Sequence, residues 1–143
     1  MAFTGNYTCN SFKQQLFEGD FDFSSGTAQT FKIALYTNNA TLDQTTTAYT
    51  ATGEVVASGY TAGGEVITPS LAIDSSTGIT YLDFSNASWS GAFTARGALI
   101  YKADGVTDPA ICVLDFGSDK TSTTTFQVEF PPNTSTAALI RLS

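Results

Sequence analysis

The hexapeptide Phe31-Lys32-Ile33-Ala34-Leu35-Tyr36 places Phe31, Ile33 and Leu35 on the same side of an extended chain. A period of two is typical of a β-strand with one buried face. Outward from this stretch the pattern recurs in short segments bounded by turn residues. The other predicted strands are residues 65–73, 79–85, 95–103, 110–117, 123–131 and 137–142. Pro69 removes a backbone donor, which predicts an edge position or a bulge for the strand that contains it.

Only residues 11–18 are predicted to form a helix. Ser11 and Gln14 match a Ser-x-x-Gln capping box, and Gly19 follows as a left-handed C-terminal cap. Phe12 and the apolar residue four positions later share one face. About two turns are too few for a stable isolated helix, so this face must dock on the sheet.

The segments together predict one all-β domain over residues 1–143. Short antiparallel strands at regular spacing, with one small helix, favour a β-sandwich or jelly roll. The Thr-rich stretch 41–51 is predicted to be a long loop or projecting hairpin, and residues 119–125 a second polar connection. Both are expected to be exposed, where contacts with partners could form.

The composition argues against several kinds of chemistry. The 143 residues contain no histidine, which removes Ser-His-Asp and Cys-His nucleophile activation and any zinc site that needs an imidazole. Thirteen acids against six bases give a formal net charge of −7, so the long-range field opposes nucleic-acid binding. Charged residues are only 13% of the chain. This fits a surface partly covered by other subunits, or a β-protein adapted by Thr and Ser.

The chain contains two cysteines, Cys9 and Cys112, whose pairing depends on geometry that the sequence does not reveal. Residues 1–10 have neither the basic nor the apolar region of a signal peptide, and no apolar run approaches transmembrane length. We therefore expect folding in a reducing cytoplasm, two buried free thiols and no membrane partner.

Acidic side chains are the first candidates for catalysis, because glycosidases on β-sandwiches use two carboxylates. The possible members are Glu54, Glu65, Glu129, Asp83 and Asp115. Asp83 and Asp115 lie in two similar segments, Tyr81-Leu82-Asp83-Phe84 and Val113-Leu114-Asp115-Phe116. Strand alternation explains both acids as residues of a solvated face, and the spacing selects no pair. We therefore expect no enzymatic activity.

Metal, cofactor and nucleotide sites are not expected either. Residues 104–108 place two aspartates around a glycine but lack the ligand series of an EF-hand, so a turn is predicted there. The two cysteines have no further Cys or His ligand for zinc. The glycines of residues 59–64 join strands and do not open a helix, so they provide no phosphate cradle.

Trp89 is the only tryptophan and lies among small residues in a segment that resembles a loop. Three roles are open for it: a plug at one end of the core, a contact between subunits, or a platform that stacks on sugar rings.

Three short motifs follow one another along the chain: Asn10-Ser11-Phe12, Ile33-Ala34-Leu35-Tyr36-Thr37-Asn38 and Gly59-Tyr60-Thr61-Ala62-Gly63-Gly64. Their order resembles a group of small tailed-phage proteins. Members of that group open with Asn-x-Phe in a short helix, continue with a strand like Val-Ala-Leu-Thr-Asn, and carry Gly-Tyr-Thr-x-Gly-Gly. Ala98-Leu99-Ile100-Tyr101 and Leu114-Asp115-Phe116-Gly117 look like the second half of that group. Residues 41–56 form a longer insert than the pattern contains.

The resemblance implies a component of the virion. We expect a capsid decoration (cement) protein made in the bacterial cytoplasm and bound to the major capsid protein on the outer head surface. Threefold and quasi-threefold points of a shell favour a homotrimer over a dimer. The candidate interface residues are Trp89, Tyr49, Tyr60, Thr45 and Thr46, with residues 41–51 as a candidate arm.

Two other roles remain open from the sequence. A tail or fibre component would join tail parts or face the host, although the chain lacks the coiled-coil, collagen-like or repeat segment typical of a fibre. A carbohydrate-binding β-domain would depend on Trp89 and the unpaired acids.

Overall fold

The computed structural model describes residues 3–143. They form a mostly β structure with antiparallel sheets and a single short helix, which confirms the all-β prediction at this level. The elements, in chain order, are β1 (Tyr7–Thr8), α1 (Asn10–Glu18), β2 (Phe31–Tyr36), β3 (Glu65–Ile67), β4 (Pro69–Asp74), β5 (Ile79–Phe84), β6 (Ala87–Ser90), β7 (Thr94–Lys102), β8 (Ala110–Thr121), β9 (Thr125–Val128) and β10 (Ile140–Leu142).

The strands form three ladders. A five-stranded sheet has the order β1-β8-β7-β2-β3, a three-stranded sheet has the order β10-β5-β4, and β6 pairs with β9. β2 lies within the largest sheet and is covered on both sides, since five of its six residues are buried. The buried side chains of residues 3–143 form one hydrophobic cluster that reaches α1 and all three ladders.

A long bent hairpin connects the largest sheet with the β6–β9 ladder. β6 and β7 form one arm, and β8 and β9 form the other. Pairing continues through the bend, where the Gly91 N–H donates to the Thr124 carbonyl at 2.9 Å. Further along, residues 116–119 lie opposite Arg96 alone, which makes a bulge in β8.

Pro69 marks the point where the chain changes sheets. The predicted strand 65–73 is divided, because β3 ends at Ile67 and β4 begins at Pro69. β3 is the last strand of the five-stranded order, and β4 is the last strand of the three-stranded order. The predicted edge position is therefore confirmed. The proline is tolerated there because an edge strand has one side without a neighbouring strand, where the missing N–H donor is not needed.

The helix differs from its prediction at one end. It begins at Asn10 after the N-cap residue Cys9, and no side-chain capping bond forms. Ser11 lies one residue inside the helix, so the predicted capping box is wrong, and its buried hydroxyl has no partner among the described residues. Gly19 has a φ of 84° and caps the C-terminus as predicted, with its N–H 3.3 Å from the Leu16 carbonyl.

The two predicted polar connections also differ from expectation. Residues 41–51 are a long loop, but they do not project. Leu42 is buried, the Gln44 carbonyl accepts the Asn10 N–H at 2.8 Å, and Ala48 bridges to Pro109. The arm prediction is wrong because one apolar side chain and several backbone bonds dock the loop.

The second connection, predicted over residues 119–125, belongs mostly to strand. β8 continues to Thr121, whose hydroxyl hydrogen-bonds that of Thr94 across the ladder at 2.7 Å. Only residues 122–124 separate β8 from β9. Cross-strand pairing with distant residues therefore overrides the polar, loop-like local composition.

Candidate functional site

Glu54 is buried and fully engaged by its neighbours. Its Oε2 accepts the Tyr49 hydroxyl at 2.6 Å, and its Oε1 accepts both the Tyr60 hydroxyl and the Gly63 N–H at 2.7 Å. The Tyr60 hydroxyl in turn accepts the Leu35 N–H at 2.8 Å. These bonds satisfy a carboxylate that would otherwise be costly to bury. Glu54 therefore fastens the turn at Gly63 to β2 and is not presented to a substrate.

Two further tyrosines complete this network. The Tyr36 hydroxyl donates to the Thr50 carbonyl, and the Tyr101 hydroxyl donates to the Gly63 carbonyl, each at 2.7 Å. Burial, reinforced by the nearby Glu54 charge, raises the pKa of Tyr36 well above its usual value. Burial likewise raises the pKa of Tyr101 to about 12. The phenols thus act as protonated structural donors.

Three of the five predicted interface residues pack in or against the core. Trp89 is 2% exposed, lies in β6 rather than in a loop, and packs beside the Tyr60 ring with 6.0 Å between centroids. Tyr49 stacks on Tyr101 at 4.8 Å between centroids and, like Tyr60, is half-buried. The loop interpretation of Trp89 is therefore wrong, and the ring is not available as a surface anchor or sugar platform.

The other two predicted interface residues remain at the surface. Thr45 is exposed and Thr46 half-buried, and both are tied to Asp43. The Thr45 hydroxyl donates to the Asp43 carboxylate at 2.6 Å, while the Thr46 hydroxyl accepts the Asp43 N–H at 3.0 Å. These residues form a small ordered turn, and no hydrogen bond among the described residues joins it to Trp89.

Asp83 is the acid that departs most from its predicted environment. Strand alternation does place it on the opposite face from Leu82 and Phe84, but it is only 2% exposed. Its Oδ1 accepts the Phe84 N–H at 2.9 Å, and its Oδ2 has no partner among the described residues. Burial raises the pKa of this carboxyl, although the amides of Phe84 and Leu139 oppose the change. The solvated-face interpretation of Asp83 is wrong because the C-terminal segment covers that face.

The remaining candidate acids are separate from one another. Asp115 forms an ion pair with Arg96. Burial opposes ionisation of Asp115, but the hydrogen bond and charge of Arg96 hold its pKa below the usual value. Glu65 is half-buried and Glu129 is exposed. No hydrogen bond joins any two of the five acids within residues 3–143.

The predicted turn at residues 104–108 is confirmed. The Asp104 Oδ1 accepts the N–H groups of Val106, Thr107 and Asp108, each at 2.9 Å, and these bonds lower the pKa of Asp104. Its carboxylate is thus occupied by its own loop. No group of three His, Cys, Asp or Glu side chains suited to a metal occurs in the described part of the chain.

Cys9 and Cys112 are buried free thiols. Burial raises the pKa of Cys9 to about 11 and also raises the pKa of Cys112. A thiol with a raised pKa is largely protonated at neutral pH and therefore weakly nucleophilic.

An apolar cleft lies between α1 and the three-stranded sheet. We call it the apolar cleft. Its floor consists of buried Phe12, Phe23 and Leu82. Leu71, which is 50% exposed, and Leu142, which is 55% exposed, form its open rim. Leu16, Thr80, Tyr81 and Ile140 complete the lining. Apolar side chains that remain in solvent around a concave surface mark a site that a partner could cover.

Strand β4 extends this apolar surface beyond the cleft. Ile73 lies two residues after Leu71, on the same face of the strand, and is 66% exposed. β4 is also the outer strand of its sheet, so its backbone edge adjoins the exposed side chains. The sequence contained a signal for this site, because apolar residues alternate along a strand whose proline is typical of a sheet edge. Periodicity alone could not reveal that the face would stay uncovered.

A second concave region lies between the β8 bulge and β9. It has a volume of about 440 Å³ and is lined by Phe116, Lys120, Gln127 and Glu129 together with neighbouring backbone. Mixed polar and aromatic groups line it, and no hydrogen bond or ion pair joins the Lys120, Gln127 and Glu129 side chains to one another.

No protein-family model, curated protein or solved structure matches the chain. The helix found in residues 3–143 has nine residues, too few to span a bilayer.

Proposed function

We propose that this chain is a non-enzymatic structural protein of a tailed-phage virion, and that it decorates the outer head shell. The observation that carries the proposal is the apolar cleft with its exposed rim on β4 and β10. Such a surface is costly to leave in water and gains stability when a partner covers it. The sequence resemblance to small tailed-phage proteins supports a tailed-phage virion as the particle.

The state of the acids supports a structural role. The carboxylates of Glu54, Asp104 and Asp115 are occupied by hydroxyls, amides or a guanidinium of the same fold. Catalytic carboxylates must face the reacting atoms of a substrate. These acids instead stabilise turns and ladders, as a rigid building block requires.

The proposed architecture is a β-sandwich or jelly roll. The bent β6–β9 hairpin crosses from the five-stranded sheet, and the chain changes sheets again at Pro69. Strands that switch sheets at bends are a feature of two-layer β folds. A rigid fold of this kind would present the apolar cleft in a fixed orientation.

The proposed partner is the major capsid protein, and the proposed assembly is a homotrimer. A symmetric oligomer at a threefold or quasi-threefold point can contact several shell subunits at once. Binding to the assembled shell alone would stabilise it by mass action. A tail or fibre position is the competing location, and the experiment below separates the two.

Particles should be fractionated into heads and tails, and each fraction analysed by mass spectrometry. We expect this chain in the purified heads, in a fixed ratio to the major capsid protein. Its recovery with tails and absence from heads would contradict the decoration proposal. Cryo-electron microscopy of the same heads should then show density for the protein on the outer surface.

A further inference from the structure

The C-terminal segment 131–139 is strapped across one face of the three-stranded sheet. The Asn133 side-chain amide donates to the Ser70 hydroxyl at 2.7 Å, and the Ser135 hydroxyl donates to the Asp74 carboxylate at 2.7 Å. Both acceptors lie on β4 and point to the same side of the sheet. Beyond the strap the chain enters β10, which pairs with β5 over three residues.

Asp83 lies beneath this strap. It is directly opposite Ser70 in the β4–β5 ladder, so its side chain is on the face that the strap covers. The amide of Leu139, at the end of the strap, also faces its carboxylate. As a result, Asp83 is almost fully buried with its Oδ2 unpartnered within the described residues. A carboxylate in such a position is far more costly to bury than a neutral carboxyl group.

Few charges face Asp83. The strap itself, residues 131–139, contains no ionisable side chain. On that face, the titratable side chain of β4 is Asp74, four residues from Ser70, and that of β5 is Tyr81. The charged side chain of β10 is Arg141, which is paired with Tyr81 and is therefore diagonal to Asp83.

Arg141 is engaged by the strap and not by Asp83. Its guanidinium donates to the Thr136 carbonyl at 2.8 Å, and the salt bridge present in residues 3–143 joins other side chains. The closed strap therefore buries Asp83 without a compensating cation. An ionised Asp83 would attract water and the Arg141 guanidinium, and movement of Arg141 towards Asp83 would break its bond to the Thr136 carbonyl of the strap.

We propose that residues 131–139 form a pH-sensitive strap, closed over the three-stranded sheet while Asp83 is protonated and loosened when Asp83 ionises. The sheet face is covered when the strap is closed and uncovered when the strap is loosened. Uncovering further exposes Ala72, Asp74 and Tyr81, which are half-buried beneath the closed strap, and leaves β10 attached by its short ladder alone. The device does not depend on the proposed function in the virion.

The test is hydrogen–deuterium exchange of the full chain at about pH 4.5 and about pH 7.5, corrected for intrinsic exchange, since the neutral Asp83 carboxyl is more populated at the lower pH. We expect protection of residues 134–142 to fall by about tenfold at the higher pH, because the ionised carboxylate is costly to bury beneath the closed strap. Asp83→Asn imitates the neutral carboxyl and should keep the segment protected at both pH values.

Asp119→Asn is the matched control, since Asp119 is an exposed acid on β8, away from the strap. It should retain the wild-type pH dependence. Asn133→Ala removes a strap bond and should reduce protection at both pH values. If Asp83→Asn keeps the full pH dependence, or if wild-type protection is the same at both pH values, the proposal is wrong.

Discussion

At the residue scale, one buried acid and four tyrosines organise the region around the Gly63 turn. Glu54 accepts hydrogen bonds from Tyr49, Tyr60 and the Gly63 amide, and the Tyr101 hydroxyl returns to the Gly63 carbonyl. Every phenol of this cluster acts as a donor, a role it can fill only while protonated. The network should therefore respond to alkaline pH.

We predict that the free energy of unfolding decreases as the pH rises from about 10 towards 12. Burial and Glu54 raise the pKa of Tyr49 and Tyr60, and burial raises that of Tyr101 to about 12. Tyrosine in an unfolded chain titrates near pH 10. Since the folded-state pKa values are higher, their contribution is complete below about pH 10 and is lost as the pH rises through the folded values.

Urea unfolding at a series of alkaline pH values, followed by circular dichroism, would measure this loss. Tyrosinate absorbance recorded in parallel should show the ionisation of these phenols accompanying unfolding. Ionisation of all six tyrosines near pH 10 in a protein that stays folded would contradict the prediction.

At the element scale, the Gly59–Gly64 segment joins strands through close backbone contacts. Gly59 has a φ of 88°, and a Cβ there would lie 2.0 Å from the Ser90 carbonyl oxygen. Gly64 has a φ of 80°, and a Cβ there would lie 1.8 Å from the Ile33 carbonyl oxygen. Both positions therefore require glycine, because only glycine allows the positive φ together with so close an approach to a neighbouring carbonyl oxygen.

Gly64→Ala should lower the free energy of unfolding by at least about 3 kcal/mol, through left-handed strain and overpacking together. Gly78→Ala is a matched control, because Gly78 has a φ of 75° with nothing within 4 Å of the added Cβ. It should cost only about 1 kcal/mol. Chemical denaturation would compare the two variants, and equal losses would show that the approach to Ile33 is unimportant.

The helix offers a second prediction at this scale. If Ser11 were an N-cap, Ser11→Ala would cost about 1 kcal/mol. Its hydroxyl is instead buried inside the helix without a partner in the described residues. We expect the free energy of unfolding to stay unchanged or to increase by up to about 1 kcal/mol, because alanine also favours helix. Thermal unfolding measures the sign, and a clear decrease would mean that the capping box forms.

At the scale of the whole molecule, low charge and an uncovered apolar cleft occur together. The chain has a net charge of −7, yet Leu71 and Leu142 remain in solvent on the rim of the cleft, and Ile73 is exposed beside it on β4. Long-range repulsion opposes random association of copies, while the cleft provides a local surface that favours a defined contact. Specific assembly needs both properties.

We predict that Leu71→Asp prevents binding of the purified protein to heads that lack it. An acid on the cleft rim would have to be buried on contact, which costs several kcal/mol. Val106→Asp is the control, because Val106 is also an exposed apolar residue but lies in the 104–108 turn. Co-sedimentation would measure binding, and circular dichroism would verify that both variants fold. Normal binding of Leu71→Asp would exclude the cleft as the contact surface.

The predicted interface residues and the lining of the apolar cleft have no member in common, and particular residues show why. Thr45 and Thr46 lie at the surface as expected, whereas Trp89 fills the core and the phenol groups of Tyr49 and Tyr60 bind Glu54. Composition identifies aromatic residues but not which side of a strand they occupy. The cleft was missed because its floor on α1 and its rim on β4 are more than fifty residues apart in the chain.

The sequence by itself determined the features that depend on neighbouring residues. These are the period-two strands, the left-handed cap at Gly19, the Asp104 turn and the break at Pro69, all of which follow from local backbone geometry and side-chain alternation. Only the tertiary structure decided the covering of Asp83, the docking of the 41–51 loop and the opening of the apolar cleft. Those outcomes depend on which distant segments pack together. Burial of a side chain results from that packing and cannot be deduced from a short stretch of chain.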